Sequence, residues 1–319
     1  MKPLQALSAV LSATVLIAGC GGGGGGGGGS ATPAPIPAPA PAPAPPAYPT
    51  IPNFTLATSL EGPSHNFTVN RSAKTLLEVP GGTYSGQVVA SASGITSITL
   101  NVTNIAGVTF SETFQSADLT SSVAVPGLAP RTLLSGTKTA SDGSVRALTV
   151  LDTGTAGFNY MVLGGWEYAS AAGATSAAGS MFVFGPATRS AEIPTTGTAT
   201  YNGLMFGRYA DGAQLWTATA SASATANFAN RSVSLVTTNT QIVSVSTPQQ
   251  AAPNLNMTGT LTYPAATNAL TGALSTPGGL TGPTEARFYG PAAAELGGTF
   301  FVRDPGNTKQ LTGTFGLKQ

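Results

Sequence analysis

Side chains that do chemistry are scarce in this chain. It has one cysteine and one histidine in 319 residues, and only 8% of its residues are charged. A single thiol closes no disulfide within the chain and builds no multi-cysteine metal site. A nucleophile needs a base, most often histidine, and the one histidine, His65, sits in GPSHNFT, where it is expected to be a loop residue hydrogen-bonded to backbone. Haem held between two histidines is excluded by count; a single axial ligand, His65 or one of the eight tyrosines, stays open. No G-x-S-x-G elbow, Walker A loop, H-E-x-x-H or EF-hand loop occurs. The carboxylates Asp142, Asp152, Glu167 and Asp211 stand apart, so a glycosidase-like pair would have to come from folding. The expectation is a protein that is not an enzyme and carries no cofactor, with haem retained only as a ligand.

Charge of one sign is also missing. Thirteen basic residues face twelve acidic ones, and losing Lys2 with a leader would equalise them. Without a basic cluster, nucleic acid and anionic surfaces are poor partners. No apolar run reaches the roughly 18 to 20 residues of a spanning helix.

What is present begins with LIAGCGGGGGGGGGS, Leu16 to Ser30. Lys2 gives a positive start, and Leu4 to Ala18 is an uncharged run the size of a signal-peptide core. Ile17-Ala18-Gly19-Cys20 resembles a bacterial lipobox, which implies cleavage before Cys20 and acylation of its thiol. The bland alternative is an ordinary signal peptide with an incidental cysteine. Gly21 stands where an aspartate would imply inner-membrane retention, so outer-membrane delivery is favoured. One acyl chain holds a protein marginally, whereas several anchor it stably. The glycines after Cys20 cannot fold, because each loses much backbone entropy and buries no side chain. The Pro-Ala run that follows is a semi-rigid spacer of about 3.1 Å per residue.

The rest reads as all-β. In LWTATASASATANFA, Trp216, Ala218, Ala220, Ala222, Ala224, Ala226 and Phe228 alternate with Thr, Ser and Asn. Period two over that length is a strand with one apolar face, and its alanines suit a narrow curved interior. Further strands are expected at ATYNGLMFG, SVSLVTTNTQI, MTGTLTY, ALTGALST, TEARFYG, LGGTFFVR and LTGTFGLK. Eight short antiparallel strands are the number for a small closed barrel filled by its own side chains. Gly259, Gly272 and Gly313 share the apolar face of their strands, where glycine permits sharp bending. Outward positions are polar, the reverse of a membrane barrel, so the barrel is expected to be soluble. Before it, FTLATS, NFTVN, TLLEVP, TYSGQVVAS, ITSITLNVT, VRALTVLD and FNYMVLGGWEY read as strands of a first β domain, with the boundary expected in Gly185 to Gly197.

ARFYGPAAAELGGTFFV, Ala286 to Val302, closing with LTGTFGLK, resembles the carboxy-terminal signature of transferrin-binding-protein-B-like surface lipoproteins. TTGTATYNG and NYMVLGGWEY are similar to that family's barrel-entry strand and to the strand ending its preceding handle domain. The resemblance implies a leader at 1–19, an acylated Cys20 with a disordered tether to 52, a β handle at 53–190 and an eight-stranded barrel at 191–319. It implies a lipid-anchored outer-membrane protein on the cell surface, exported by an outer-membrane translocator. Its partner would be a host transferrin, haem or haemoglobin carrier, a complement regulator, or a small solute. The reading from another class is an envelope lipoprotein with a spacing or adhesive role and no ligand. Candidate contact residues are Arg208, Tyr209, Asp211 and Gln214 in RYADGAQ, since Arg and Tyr are favoured at protein contacts. A solvated turn is the plain alternative there. Trp166 and Tyr168 in GGWEY, with Trp216, either line a groove between the domains or plug a barrel end or interface.

Overall fold

The computed structural model describes residues 47–50, 62–91, 94–124 and 131–319. The leader, Cys20, the polyglycine and the strand expected at FTLATS lie outside them. Ten strands precede residue 185: β1 Ser64–Asn70, β2 Thr75–Glu78, β3 Thr83–Ser91, β4 Gly94–Ile105, β5 Val108–Gln115, β6 Ser121–Ala124, β7 Thr132–Thr139, β8 Val145–Leu151, β9 Val162–Ala169 and β10 Ser176–Phe184. Seven form one antiparallel sheet in the order β2-β1-β10-β9-β8-β7-β6, and β3-β4-β5 form a second. One face of the large sheet packs on the small one through Trp166, Phe182 and Phe184 against Val88, Leu100 and Phe114. The opposite face carries Phe67, Leu163, Met181 and Val183.

Because β10 is covered on both sides, SAAGSMFVF shows no alternation, and that is why period two does not reveal it. β5, β6 and β7 likewise fall outside the expected strands. β9 starts at Val162 rather than Phe158, because the backbone N–H groups of Asn159 and Tyr160 bond to the Glu295 side chain instead of joining a sheet ladder.

Residues 185–197 lead without a strand into the barrel. Its strands are β11 Thr198–Ala210, β12 Leu215–Asn227, β13 Ser232–Val243, β14 Gln250–Ala251, β15 Thr258–Thr262, β16 Leu270–Ser275, β17 Thr281–Tyr289, β18 Glu295–Arg303 and β19 Gln310–Lys318. The order β12-β11-β19-β18-β17-β16-β15-β13 closes on itself through β12–β13 pairing, with the two-residue β14 appended to β13. This is the expected eight-stranded antiparallel barrel. All seven alternate residues from Trp216 to Phe228 are buried in one core with Tyr201, Phe288, Phe300 and Phe315. The inward glycines let backbones and rings meet. Gly207 lies opposite Gly313 in register, and a Cβ on Gly313 would stand 2.7 Å from the Phe300 ring.

Polar outward positions hold on one side of the barrel only. Thr198, Thr200, Thr225, Ser234 and Thr260 are exposed, but β18 and β19 are buried on both faces up to their last residues. Their outer face is where the large sheet docks.

Within the expected tether, residues 47–50 are described. The Tyr48 hydroxyl donates to Glu192 Oε2 and accepts the Arg189 backbone N–H, both at 2.8 Å. The Arg189 guanidinium also lies 4.6 Å from the centre of the Tyr48 ring. A ring and two hydrogen bonds thus hold this point of the chain against the segment between sheet and barrel.

Candidate functional site

The docking seam accounts for most of the polar residues in the carboxy-terminal signature. Along β18 the outward positions are Glu295, Gly297, Thr299 and Phe301, and each meets the preceding sheet or its loops. The Glu295 carboxylate accepts the N–H of Asn159 at 2.6 Å and of Tyr160 at 3.0 Å. A Cβ at Gly297 would lie 2.7 Å from Met161 Sδ and 2.8 Å from Val183. Thr299 Oγ1 is 2.9 Å from His65 Nδ1, and Phe301 packs with Phe67 and Met181. From β19, Gln310 Oε1 accepts the Leu76 N–H at 3.0 Å, and Lys318 Nζ donates to the Gly157 carbonyl at 2.9 Å. Burial raises the Glu295 carboxyl to about 7 against the lowering pull of its two backbone donors.

His65 is not a loop residue. It lies in β1, faces the barrel and is 6% exposed, and burial pushes its imidazole down to about 4. Its hydrogen-bond partner is a side chain on β18 rather than backbone. Glu78 Oε1 lies 3.9 Å from its other ring nitrogen.

Of the candidate contact residues, Arg208 and Tyr209 are in β11 rather than in a loop. The alternation of that strand sends them opposite ways. Tyr209 turns into the barrel core. Arg208 turns outward and donates to Glu167 Oε1 on β9. Asp211 stays in the turn, where Oδ1 accepts the N–H of Ala213 and Gln214 and Oδ2 accepts the Trp216 indole N–H at 3.1 Å. Gln214 Nε2 donates to the hydroxyls of Ser244 and Ser246. Trp166, edge-on, and Tyr168, stacked, flank Phe110 of the small sheet. Trp216 is buried in the barrel core.

Glu167 is the carboxylate that folding joins to partners. It is 8% exposed, and its second oxygen takes Arg71 Nη2 at 3.0 Å. The other three separate carboxylates cap turns: Asp142 accepts from Ser144, Asp152 from Gly154 at the start of the short helix α1, Thr153–Ala156, and Asp211 as above. Among the described residues no three His, Cys, Asp or Glu side chains gather as a metal site.

Beside Arg208 and Glu167 the seam opens into a cavity of about 390 Å³. Phe67, Leu133 and Met181 of the large sheet form one wall, and Phe206, Arg208 and Leu215 of the barrel form the other. Val245, fully exposed, stands at its edge. Trp166 and Arg208, both singled out in the sequence, border this cleft; the rest of its walls come from strands far apart in the chain and share no sequence signal.

Residues 193–319 match the family model described as the C-lobe and N-lobe beta barrels of Tf-binding protein B. No curated protein matches the chain. Among solved structures, a double mutant of transferrin-binding protein B from Haemophilus parasuis Hp5 is 15% identical, with a TM-score of 0.48, over 81% of this chain and 45% of that one. Intact Ap-TbpB, with N and C lobes, is 17% identical with a TM-score of 0.47 over 81% and 46%. The isotype 1 protein from serogroup B Neisseria meningitidis is 15% identical with a TM-score of 0.39 over 74% and 51%. The chain therefore spans about half the length of these structures. What the comparisons establish is confined to the barrel: residues 193–319 match the beta-barrel model of that family's lobes.

Proposed function

We propose that this chain is a non-enzymatic binding module, held on the outside of an outer membrane by acylated Cys20, that takes a small solute in the cleft between its large sheet and its barrel. The leader at 1–19, the tether after Cys20, the handle at 53–190 and the barrel at 191–319 are the arrangement that serves this role, with an outer-membrane translocator as export partner. The observation that carries the reading is the cleft. Ligand sites are concave, mostly apolar and lie at junctions between structural units, with volumes of roughly 300 to 1,000 Å³, and the cavity of about 390 Å³ meets each criterion. The barrel interior offers no comparable space, being filled with alanine and aromatic side chains.

The barrel match favours a second reading, in which a host iron or haem carrier binds the displayed surface. Intact cells making the chain separate the outcomes, with haemin and iron-loaded transferrin as probes. Display and binding predict saturable uptake of a probe, abolished by external protease and by Cys20→Ser, together with palmitate labelling that requires Cys20. A chain that resists external protease would overturn display, and cells that bind neither probe above background would overturn the carrier reading.

A further inference from the structure

We infer that the cleft is specific for an amphipathic monoanion, a free alkyl carboxylate whose chain lies between Phe67, Met181 and Phe206 and whose head group pairs with Arg208. This deepens the solute-binding reading and rests on it. Protein interiors pack with few voids larger than a water molecule, and close packing is seen elsewhere in this seam. At Gly297 and Gly316 the sheet and barrel come too close for a side chain, and a Cβ at Gly316 would lie 2.6 Å from Leu163. A gap of about 390 Å³ in the same seam departs from that packing. Its apolar lining forfeits dispersion contacts while empty and regains them when an alkyl chain fills it.

The charges select the head group. Glu167 spends one oxygen on Arg208 and the other on Arg71. Two guanidinium groups thus share one carboxylate, so the trio carries one net positive charge, with Arg208 as its member on the cavity wall. Arg71 places its other nitrogen on the Ala174 carbonyl at 3.1 Å. Among the described residues Glu167 is the acceptor that Arg208 uses, and a guanidinium has five N–H donors. Arg208 lines the cavity with its side chain 39% exposed, so its unspent donors are open to a ligand's head group. A carboxylate can accept two parallel N–H bonds from such a fork. A cation would be repelled, a neutral alcohol would leave the charge unmatched, and an inorganic anion would leave the apolar wall bare.

Calorimetric titration of the full-length chain carrying Cys20→Ser, which needs no detergent, tests this with octanoate, decanoate, decanol, decyltrimethylammonium and acetate. Decanoate is expected to bind at one site and more tightly than octanoate, by roughly fourfold per methylene. Decanol and decyltrimethylammonium should bind at least tenfold more weakly, and acetate should give no saturable heat. Arg208→Gln should weaken decanoate at least tenfold and leave decanol unchanged, with Arg208→Lys intermediate. Thr217→Trp, which fills the cleft from the barrel wall without touching a charge, should abolish both. The inference is overturned by equal affinity for decanoate and decanol, by indifference to Arg208→Gln in a variant that melts like the parent, or by unchanged binding in Thr217→Trp. It is also overturned if no amphiphile binds. In that case saturable uptake of haemin or transferrin by cells would leave the module reading standing, and silence in both experiments would remove the two together.

Discussion

The Glu295 carboxylate holds the backbone N–H of Asn159 at 2.6 Å, joining residues 136 positions apart. With the Tyr160 N–H as its second donor, this one side chain ends the approach to β9 and fixes the barrel against the sheet. Glu295 is 2% exposed, so its removal leaves two buried donors unmet. At roughly 1–3 kcal/mol for each unsatisfied group, Glu295→Ala should lower stability by about 2–6 kcal/mol in denaturant melts. A loss below about 0.5 kcal/mol would show that water replaces the carboxylate without cost.

Glu295 and His65 lie on the same seam and oppose each other in acid. Glu295 binds its proton more tightly folded than unfolded, so its contribution is present below its ordinary value of 4.5 and is lost as pH rises to about 7. His65 binds its proton less tightly folded, so its contribution is present above 6.5 and is lost as pH falls through about 4. Between about pH 4.5 and 6.5 the two slopes cancel. Relative to the parent, stability of Glu295→Gln should rise with pH across that window, and that of His65→Gln should fall, each by up to about 1.4 kcal/mol per pH unit. Melts at four pH values decide it; variants that both track the parent would refute the opposition.

Overfilling the barrel should cost stability in a side-specific way. Ala222 is buried in the barrel core, and Thr225, on the other face of β12, is exposed. Ala222→Leu should destabilise by about 1–3 kcal/mol, and Thr225→Leu should stay within about 0.5 kcal/mol of the parent. Thermal melts that rank the two alike would mean the strand faces are misassigned.

Gly313 tests closure of the barrel rather than its filling. A Cβ there meets the Gly207 side of the ladder at the Phe206 carbonyl, 2.6 Å away, as well as the Phe300 ring. Backbone cannot swing aside as a flexible side chain can, so Gly313→Ala should cost at least about 1–3 kcal/mol. Gly306→Ala, in an open turn whose nearest side-chain atom would be 3.5 Å away, is the control. Equal melting of the two variants would remove the close-approach argument.

Tyr48 should govern the chain ahead of it and little else. Tyr48→Ala removes its bonds to Glu192 and Arg189 and should speed proteolytic cleavage before residue 62 several-fold. The melting midpoint should shift little, since exposed polar contacts contribute about 1 kcal/mol or less. Unchanged cleavage would mean that residues 47–50 are held by other contacts.

Two-residue periodicity is a local property, and wherever one face of a strand meets water and the other meets core it is legible residue by residue. The Trp216 to Phe228 stretch and the eight-strand barrel are of that kind. β10 was not legible because both of its faces are covered. Arg208 and Tyr209 read as loop because RYADGAQ carries turn residues; the strand persists to Ala210 because pairing with β19 continues to Gln310. The signature residues Glu295, Gly297, Gly316 and Lys318 could be recognised in the sequence, but not as a docking seam.

By itself the sequence determined the β class, the strand count of the barrel, its alanine-lined interior and the residues available for chemistry. All of these follow from composition and from alternation between neighbours along one strand. Only the tertiary structure decided that His65 faces Thr299, that Glu295 clamps the loop before β9, and that Glu167 stands between Arg71 and Arg208 beside an open cleft. Those pairings depend on how the sheet is laid against the barrel, and no repeat along the chain encodes which distant strand will supply the partner.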